Sequence, residues 1–317
     1  MLEIEAMVVR EVTSVEYSKI IPEAYHCFNS SNFNKVNCNN SEKVCYLLFK
    51  DKKYRLGIIG GIRNNQFYSP FSAPFGGFSF LSSDVSIEYI ESAVRLLEYW
   101  CAENKINEIN ITLPPNIYNK KFISKQINVL HRNLYSINSI DLNYHFINKY
   151  IQREYIDSIW HSARKSLKRS LKNNLLFYKC SNVREEEDAY KVICKNRSSK
   201  GFPLRMTFKD IVKTDISKDF FIVRSCEGVD IAAAIIYYVS KEIVQVVYWG
   251  DMPGYAHLRP MNYLSYKVFE YYCNHNITYT DIGPSTENSM PNYGLCKFKE
   301  SIGCEIELKF PLQKKLI

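Results

Sequence analysis

Hydrophobic and polar positions along the first half of the chain alternate between short apolar runs and one longer run with helical spacing. Residues 43–49 and 54–62 are mostly apolar and are separated by a short charged turn. They predict two strands, and a third extended segment follows at 66–71. Residues 86–103 carry apolar side chains every three or four positions, which predicts a helix, and a strand at 107–113 closes the series.

The second half of the chain repeats this order of elements. Pro260 begins its helix, at the position where proline is favoured. The helices and the closing strands of the two halves are each about 170 residues apart. The pattern predicts an α+β (mixed α/β) fold with related domains at 1–150 and 151–317, although two unrelated α+β domains would look similar. The repeated strands, helix and closing strand are predicted at 219–225, 229–239, 242–249, 260–275 and 277–282.

Composition narrows the class of protein. The chain has 317 residues, 46% hydrophobic and 23% charged, which is typical of a globular chain rather than a disordered or collagen-like one. No uncharged apolar run is long enough to predict a transmembrane segment, and the acidic N-terminus does not resemble a secretory signal. The ten cysteines form no CxxC pair and no metal-ligand spacing, so we expect reduced thiols, a cytoplasmic location and no metal.

Positive charge is concentrated in one predicted helix, at 153–173. One face is apolar, and another gathers cations without acidic partners, within a chain of net charge +8. The pattern indicates a site for an anionic ligand, or else a solvated basic face. A nucleotide-sugar phosphate, a tRNA and an anionic membrane are the candidate partners, and we favour a small phosphorylated ligand over duplex DNA. The cations are Arg164, Lys165, Lys168, Arg169 and Lys172.

The loop at 250–259 connects a predicted strand to the N-terminus of a helix. Unpaired N–H groups and the positive end of the helix dipole suit a phosphate there, although such a loop is also an ordinary connection. Gly250 and Gly254 permit close approach of a ligand, and Arg259 can add a charge-assisted contact. The corresponding first loop, at 72–78, is rich in aromatic residues and glycine and suits packing or the acceptor side of a cleft.

Four segments carry a resemblance to a known family. The most specific is Asp281-Ile282-Gly283 followed by GLCKFKESIG at 294–303, which matches D-x-G and G-L-x-x-F-K-x-x-x-G. The others are the basic helix around 160–169, the segment 188–203 ending in Gly201-x-Pro203, and the hairpin 229–249. In these places the chain resembles the FemAB-like (BioF2-like) acyltransferases of the GNAT superfamily.

That resemblance implies a fold and an activity. The expected fold is two tandem GNAT-like domains, each a mostly antiparallel twisted sheet with flanking helices. The expected reaction transfers an acyl group from acyl-CoA or acetyl-CoA, or an aminoacyl group from charged tRNA, to an amine. The expected acceptor is small and anionic, such as an amino sugar, a nucleotide sugar or a cell-wall precursor, and lies in a groove between the domains.

The same resemblance, read together with the residue types, suggests roles for individual side chains. Asp281 could accept the amine proton or could be a turn residue, Lys299 could stabilise an oxyanion, and Tyr248 could protonate the leaving group or fill a core. Gly250 and Gly254 do not match the usual glycine spacing of the donor loop, so a non-catalytic ligand-binding protein with this fold is the alternative. The expected donor contacts are Gly250, Gly254, Tyr255 and Arg259, and the expected substrate contacts are Arg164, Lys168, Trp249, Lys297 and Phe75.

Overall fold

The computed structural model describes residues 7–82, 85–152, 155–202 and 204–316. The chain divides into two compact units. The first contains the chain up to Leu142 together with the segment from Glu307 onward, and the second is Asn143–Ile306. Of the residues singled out above, Arg153, Glu154 and Pro203 lie outside the described residues.

The described residues form ten α-helices. They are α1 (Ser14–Ile20), α2 (Ser31–Val36), α3 (Ile87–Glu103), α4 (Lys120–Arg132), α5 (Tyr155–Ser158), α6 (His161–Ser170), α7 (Val183–Ser199), α8 (Phe208–Lys213), α9 (Pro260–Asn274) and α10 (Tyr293–Ser301). In this part of the chain no helix is both long enough and apolar enough to cross a membrane.

The strands belong to two large mixed sheets and one short hairpin. They are β1 (Val8–Val12), β2 (Lys43–Lys50), β3 (Tyr54–Arg63), β4 (Gln66–Ser69), β5 (Phe78–Phe80), β6 (Glu108–Thr112), β7 (Ser136–Ile137), β8 (Asp141–Ile147), β9 (Leu176–Lys179), β10 (Lys218–Arg224), β11 (Asp230–Tyr238), β12 (Ile243–Asp251), β13 (Tyr279–Pro284), β14 (Thr286–Glu287), β15 (Met290–Pro291), β16 (Glu305–Lys309) and β17 (Pro311–Lys315).

The two large sheets share one connectivity, which confirms the predicted repeat. In the first, β2, β3 and β4 are antiparallel neighbours, α3 crosses over, and β6 returns parallel to β4. In the second, β10, β11 and β12 are antiparallel neighbours, α9 crosses over, and β13 returns parallel to β12. A parallel pair requires such a crossover, so the helix between each pair of strands follows from the topology.

The division of the chain differs from the predicted 1–150 and 151–317. The last strand, β17, pairs with β6 over its whole length, and Leu312 is completely buried there. The C-terminal segment therefore belongs to the first unit. The change from the first unit to the second falls at Leu142, within β8, which pairs with β13 in the second sheet.

Packing of α9 explains why the second unit has one core. Pro260 occupies the first turn of the helix, where its missing N–H costs nothing. Leu264, Val268 and Tyr272 recur at helical spacing and are fully buried against the sheet. Burial of such side chains contributes about 1.5–3 kcal/mol each, so this helix is held mainly by its apolar face.

The predicted basic helix at 153–173 is interrupted. Its described part consists of α5 and α6, and Trp160 between them has an extended backbone (φ −58°, ψ 145°). The Trp160 N–H donates to the Ser301 carbonyl (3.1 Å), a bond that a continuous helix would not allow. The apolar spacing of Trp160 with Ala163 and Leu167 predicts a buried position for Trp160, but with the helix interrupted there its side chain is 44% exposed.

A buried histidine lies among aromatic rings in the first unit. His26 is fully buried, with the rings of Tyr25 and Phe75 at 4.5 and 5.0 Å between centroids. Burial lowers the pKa of His26 to about 3, because the apolar surroundings disfavour the charged imidazole.

This burial predicts an acid-dependent loss of stability. The unfolded chain binds a proton at His26 below about pH 6.5 whereas the folded protein does not, so stability is lost as the pH falls below that value. Between pH 7 and pH 5 the wild type should lose about 2 kcal/mol more unfolding free energy than His26→Phe, measured by denaturant titration. Equal losses in the two proteins would contradict it.

Candidate functional site

The second sheet opens between two parallel strands. β12 and β13 pair at only three positions, the last being Gln245 with Asp281. Beyond that point β12 continues beside β11 to Asp251, whereas β13 continues beside β8 to Pro284. Both strands have a register irregularity where they separate. Beyond Gln245 the edge of β12 has therefore lost its strand partner, and we call this gap between the two strands the opening.

Asp281 lies at the point of separation and is fully buried. Its Oδ1 accepts hydrogen bonds from Asn143 Nδ2 and from the Gly283 N–H, and its Oδ2 accepts one from Gln245 Nε2, all at 2.8 Å. The donors belong to β8, β13 and β12, so one carboxylate joins three strands. Its acceptor positions are directed at the protein itself, which favours a positioning role over the predicted role as base.

Lys299 on α10 binds backbone carbonyls at the end of β13. Its ammonium group, 2% exposed, donates to the carbonyls of Ile282 (3.0 Å), Gly283 (2.8 Å) and Pro284 (3.1 Å). Burial lowers the pKa of Lys299 to about 8, so the group is still mainly protonated at neutral pH. An ammonium has three N–H donors, and all three are engaged, so none remains for the predicted oxyanion.

Tyr248 and Trp249 lie on opposite faces of β12, just beyond the separation. Trp249 contacts Phe298 of α10, with 6.1 Å between ring centroids. Tyr248 is half-buried beside Arg197 and Arg205. Burial raises the pKa of the Tyr248 phenol above its ordinary value, although a hydrogen bond with the Met206 backbone and the two guanidinium groups act in the opposite direction. The phenol is therefore protonated at neutral pH and can donate a proton.

Arg197 and Arg205 were missed by the sequence-based prediction. Arg197 is in the last turn of α7, and Arg205 lies shortly before α8. Both contribute positive charge at Tyr248. The signal in the sequence was the pair of arginines around the Gly201 turn, close to the segment that carried part of the family resemblance.

Gly250 is required by packing rather than by a ligand. A Cβ at this position would lie 2.7 Å from the Asn196 side chain. Asn196 in turn donates to the Asp251 carbonyl (2.7 Å) and carboxylate (3.0 Å), which ties α7 to the end of β12. Gly254 differs, because its positive φ of 92° lies in an exposed turn with open space around it. Of the two glycines, only Gly254 therefore has space for the predicted close approach of a ligand.

Arg259 begins α9 in an unusual backbone conformation. Its φ of 58° and ψ of 45° lie in the left-handed region, which side chains other than glycine rarely adopt. The side chain is exposed and has neither an ion pair nor a hydrogen bond to other described residues. It stands beside the free N–H groups of the first turn of α9, while Tyr255 packs against the core. Arg259 and this helix end can together bind an anion.

The basic face of α6 lies next to this loop. Asn173, just after α6, donates to the carbonyl of Leu258 (3.3 Å). Arg164 is engaged by Asp157 (3.3 Å) and by two backbone carbonyls, whereas Lys168 is exposed. A shallow groove of about 420 Å³ is lined by His161, Arg164, Lys165, Lys168, Arg169 and Lys172.

Two further predicted contacts lie elsewhere. Phe75, in the first unit, is 1% exposed and packs against Tyr118 (4.7 Å between ring centroids) and Phe28 (5.1 Å), so it fills a core rather than facing a substrate. Lys297 is exposed on α10. No group of three His, Cys, Asp or Glu side chains in the described ranges could hold a metal ion.

In the described part of the first unit, the corresponding strands do not separate. β4 pairs with β6 at all four of its residues, ending at Ser69 with Ile111. The loop after β4 then follows β6, since the Gly76 N–H donates to the Thr112 carbonyl (2.8 Å). The chain itself thus occupies the place that stays open in the second unit, which makes the second unit the candidate for catalysis.

The geometry at Asp281 predicts a measurable cost when its charge is removed. Asp281→Asn keeps the shape but leaves one acceptor oxygen for three buried donors, so we expect a loss of about 1–3 kcal/mol in unfolding free energy. Asp157→Asn, at an exposed ion pair, should cost less than about 1 kcal/mol. Denaturant titration of both variants is the measurement. Unchanged stability with lost catalysis would instead assign Asp281 a chemical role.

Comparison with known proteins reveals relationships of fold only. No protein-family model matches the chain, and no curated protein matches it by sequence. Among solved structures, FemX is similar with a TM-score of 0.69 and 10% identity, over 97% of each chain. L-PGS from Bacillus licheniformis is similar with a TM-score of 0.60 and 12% identity, over 96% of this chain and 93% of that one.

A third solved structure agrees with these two. It is a conserved protein of unknown function from Bacteroides thetaiotaomicron, with a TM-score of 0.60 and 10% identity over 97% of this chain and 99% of that one. These likenesses extend over nearly the whole chain, so they include both units. The chain has the tandem, FemAB-like fold of the GNAT type.

Proposed function

We propose that the protein is an acyltransferase whose donor binds in the opening between β12 and β13. The observation that supports this most is the unpaired edge of β12 beyond Gln245, adjoining the loop that leads to α9. The donor is an acyl-CoA or a charged tRNA. The acceptor is an amine on a small phosphorylated molecule such as an amino sugar, a nucleotide sugar or a cell-wall precursor.

The opening suits an extended thioester or ester donor. Backbone N–H and C=O groups on a strand edge can pair with an extended ligand in the way that they pair with another strand. At the far end, the first turn of α9 and Arg259 provide N–H groups and a positive charge for the donor's phosphates. Gly254, with open space around it, allows the loop to adapt to those phosphates.

Tyr248 is the proposed general acid. The amine nitrogen attacks the acyl carbonyl carbon, the bond to the leaving sulfur or oxygen breaks, and the phenol protonates the leaving group. The proton that the amine loses passes to solvent water, and the phenolate regains a proton from solvent, so the phenol is restored. The phenol remains protonated at neutral pH because burial raises its pKa. Arg197 and Arg205, next to Tyr248, are placed to attract an anionic acceptor.

Two variants separate donor binding from chemistry. Arg259→Ala should raise the dissociation constant for the donor about tenfold, because a charge-assisted contact is lost. Tyr248→Phe should leave donor affinity unchanged and lower kcat by about 10²–10⁴. Isothermal titration with acetyl-CoA and longer acyl-CoAs, and transfer assays with acyl-CoA or charged tRNA, measure the two effects.

Arg184→Ala is the matched control for Arg259→Ala. Arg184 is also an exposed arginine, but it lies at the N-terminal end of α7 rather than of α9. It should behave as the wild type in both assays. Absence of binding to every thioester would remove acyl-CoA as the donor. Absence of transfer from charged tRNA as well would contradict the proposed enzyme.

A non-catalytic ligand-binding protein is the second candidate. It is favoured by one observation, namely that the carboxylate of Asp281 and the ammonium of Lys299 are buried and satisfied by the protein. On this hypothesis the opening binds an anionic ligand through Arg259 without turnover. Donor binding that depends on Arg259, together with no product in a single-turnover assay, would favour it.

A further inference from the structure

The exposed face of α6 is a cationic surface without acidic partners. Lys165, Lys168, Arg169 and Lys172 are exposed, and within the described part of the chain none has an ion pair. Arg164, at the edge of this face, is the member engaged by a carboxylate, that of Asp157. Unpaired cations gathered on one face create a positive potential that solvent only partly screens.

The shape of this surface does not suit a small ligand. All residues that line its shallow groove come from one helix and the turn that follows it. The exposed side of a single helix is convex, whereas small-molecule sites are concave and draw residues from several elements. A flat or extended anionic partner therefore fits this face better than the free phosphorylated molecule predicted from the sequence.

Large apolar side chains flank the cations. Trp160 is 44% exposed and Leu171 is 42% exposed, at the two ends of α6. They flank α6 at its N-terminal and C-terminal ends, about 16 Å apart at the rise of an α-helix. Leu176, which begins β9 just after the following turn, is 55% exposed. This pattern is typical of helices that lie in the membrane interface.

We propose that this surface docks the protein on a membrane that contains anionic lipids. The four cations contact lipid phosphates, and Trp160 and Leu171 enter the boundary between headgroups and acyl chains. Contacts with nucleic-acid phosphates would explain the cations but not the exposed leucines. The proposal assigns Lys168 to the membrane rather than to the substrate, and it does not depend on the proposed reaction.

Sedimentation with vesicles tests the electrostatic part. The wild type should bind vesicles of equal parts phosphatidylcholine and phosphatidylglycerol, and should bind pure phosphatidylcholine far less. Each cation near an anionic surface changes partitioning about fivefold, so Lys168→Glu/Arg169→Glu should lower binding by more than about a hundredfold. Lys120→Glu/Lys121→Glu is the control, because it makes the same change in net charge at exposed positions on α4.

Fluorescence tests the apolar part. Trp160 emission should shift to shorter wavelength when anionic vesicles are added, and this shift should be absent in Trp160→Phe. Leu171→Ser should weaken vesicle binding several-fold with no change in circular dichroism, because the side chain is already half-exposed in the free protein.

Three results would overturn the proposal. The first is equal vesicle binding by the wild type and Lys168→Glu/Arg169→Glu. The second is tight binding of single-stranded RNA that this double variant loses, without binding of the wild type to vesicles, which would assign the face to RNA. The third is saturable binding of free glycerol phosphate in place of vesicles, which would return the face to a small ligand.

Discussion

The second unit depends on how the separation of β12 from β13 is stabilised. Two parallel strands that part inside a protein leave backbone groups without partners, and buried groups of this kind are costly. At the point of separation Asp281 accepts the backbone N–H of Gly283, and it ties β8 and β12 together through the side-chain amides of Asn143 and Gln245. Lys299 compensates beyond it by taking three successive carbonyls at the end of β13. The opening is thus held by a buried anion and a buried cation, each satisfied by hydrogen bonds.

The same connectivity gives a closed sheet in the first unit. There β4 stays paired with β6 to its end, and the chain after Ser69 turns back along β6 through Gly76. Phe75 and His26 pack in the space around that turn. The repeated topology is therefore compatible with a closed or an open sheet. The difference is made by a few side chains and one loop rather than by the order of strands.

Much of this fold could be predicted from the sequence, because hydrophobic period and turn residues act locally. The order of strands, helix and closing strand in both halves follows from that period. The return of β17 to the first sheet could not be predicted, since Pro311–Lys315 is short and polar and is identified only by its partner β6. Asp281 and Lys299 were found through the resemblance, but their roles depend on burial and on donors from distant segments. The contact of Gly250 with Asn196 is likewise invisible until α7 is packed.

The basic face of α6 is hydrogen-bonded to the loop that leads to α9. Asn173 holds the end of α6 to Leu258, one residue before Arg259. Cations from both elements therefore contribute to one positive region at this end of the second unit. Higher salt would weaken membrane docking and donor binding together, because both rest on exposed charges. Substitutions on α6 remove charge from the contact with the membrane, and substitution of Arg259 removes charge from the contact with the donor. The two effects can therefore be measured separately, because both kinds of substitution leave the opening between the strands intact.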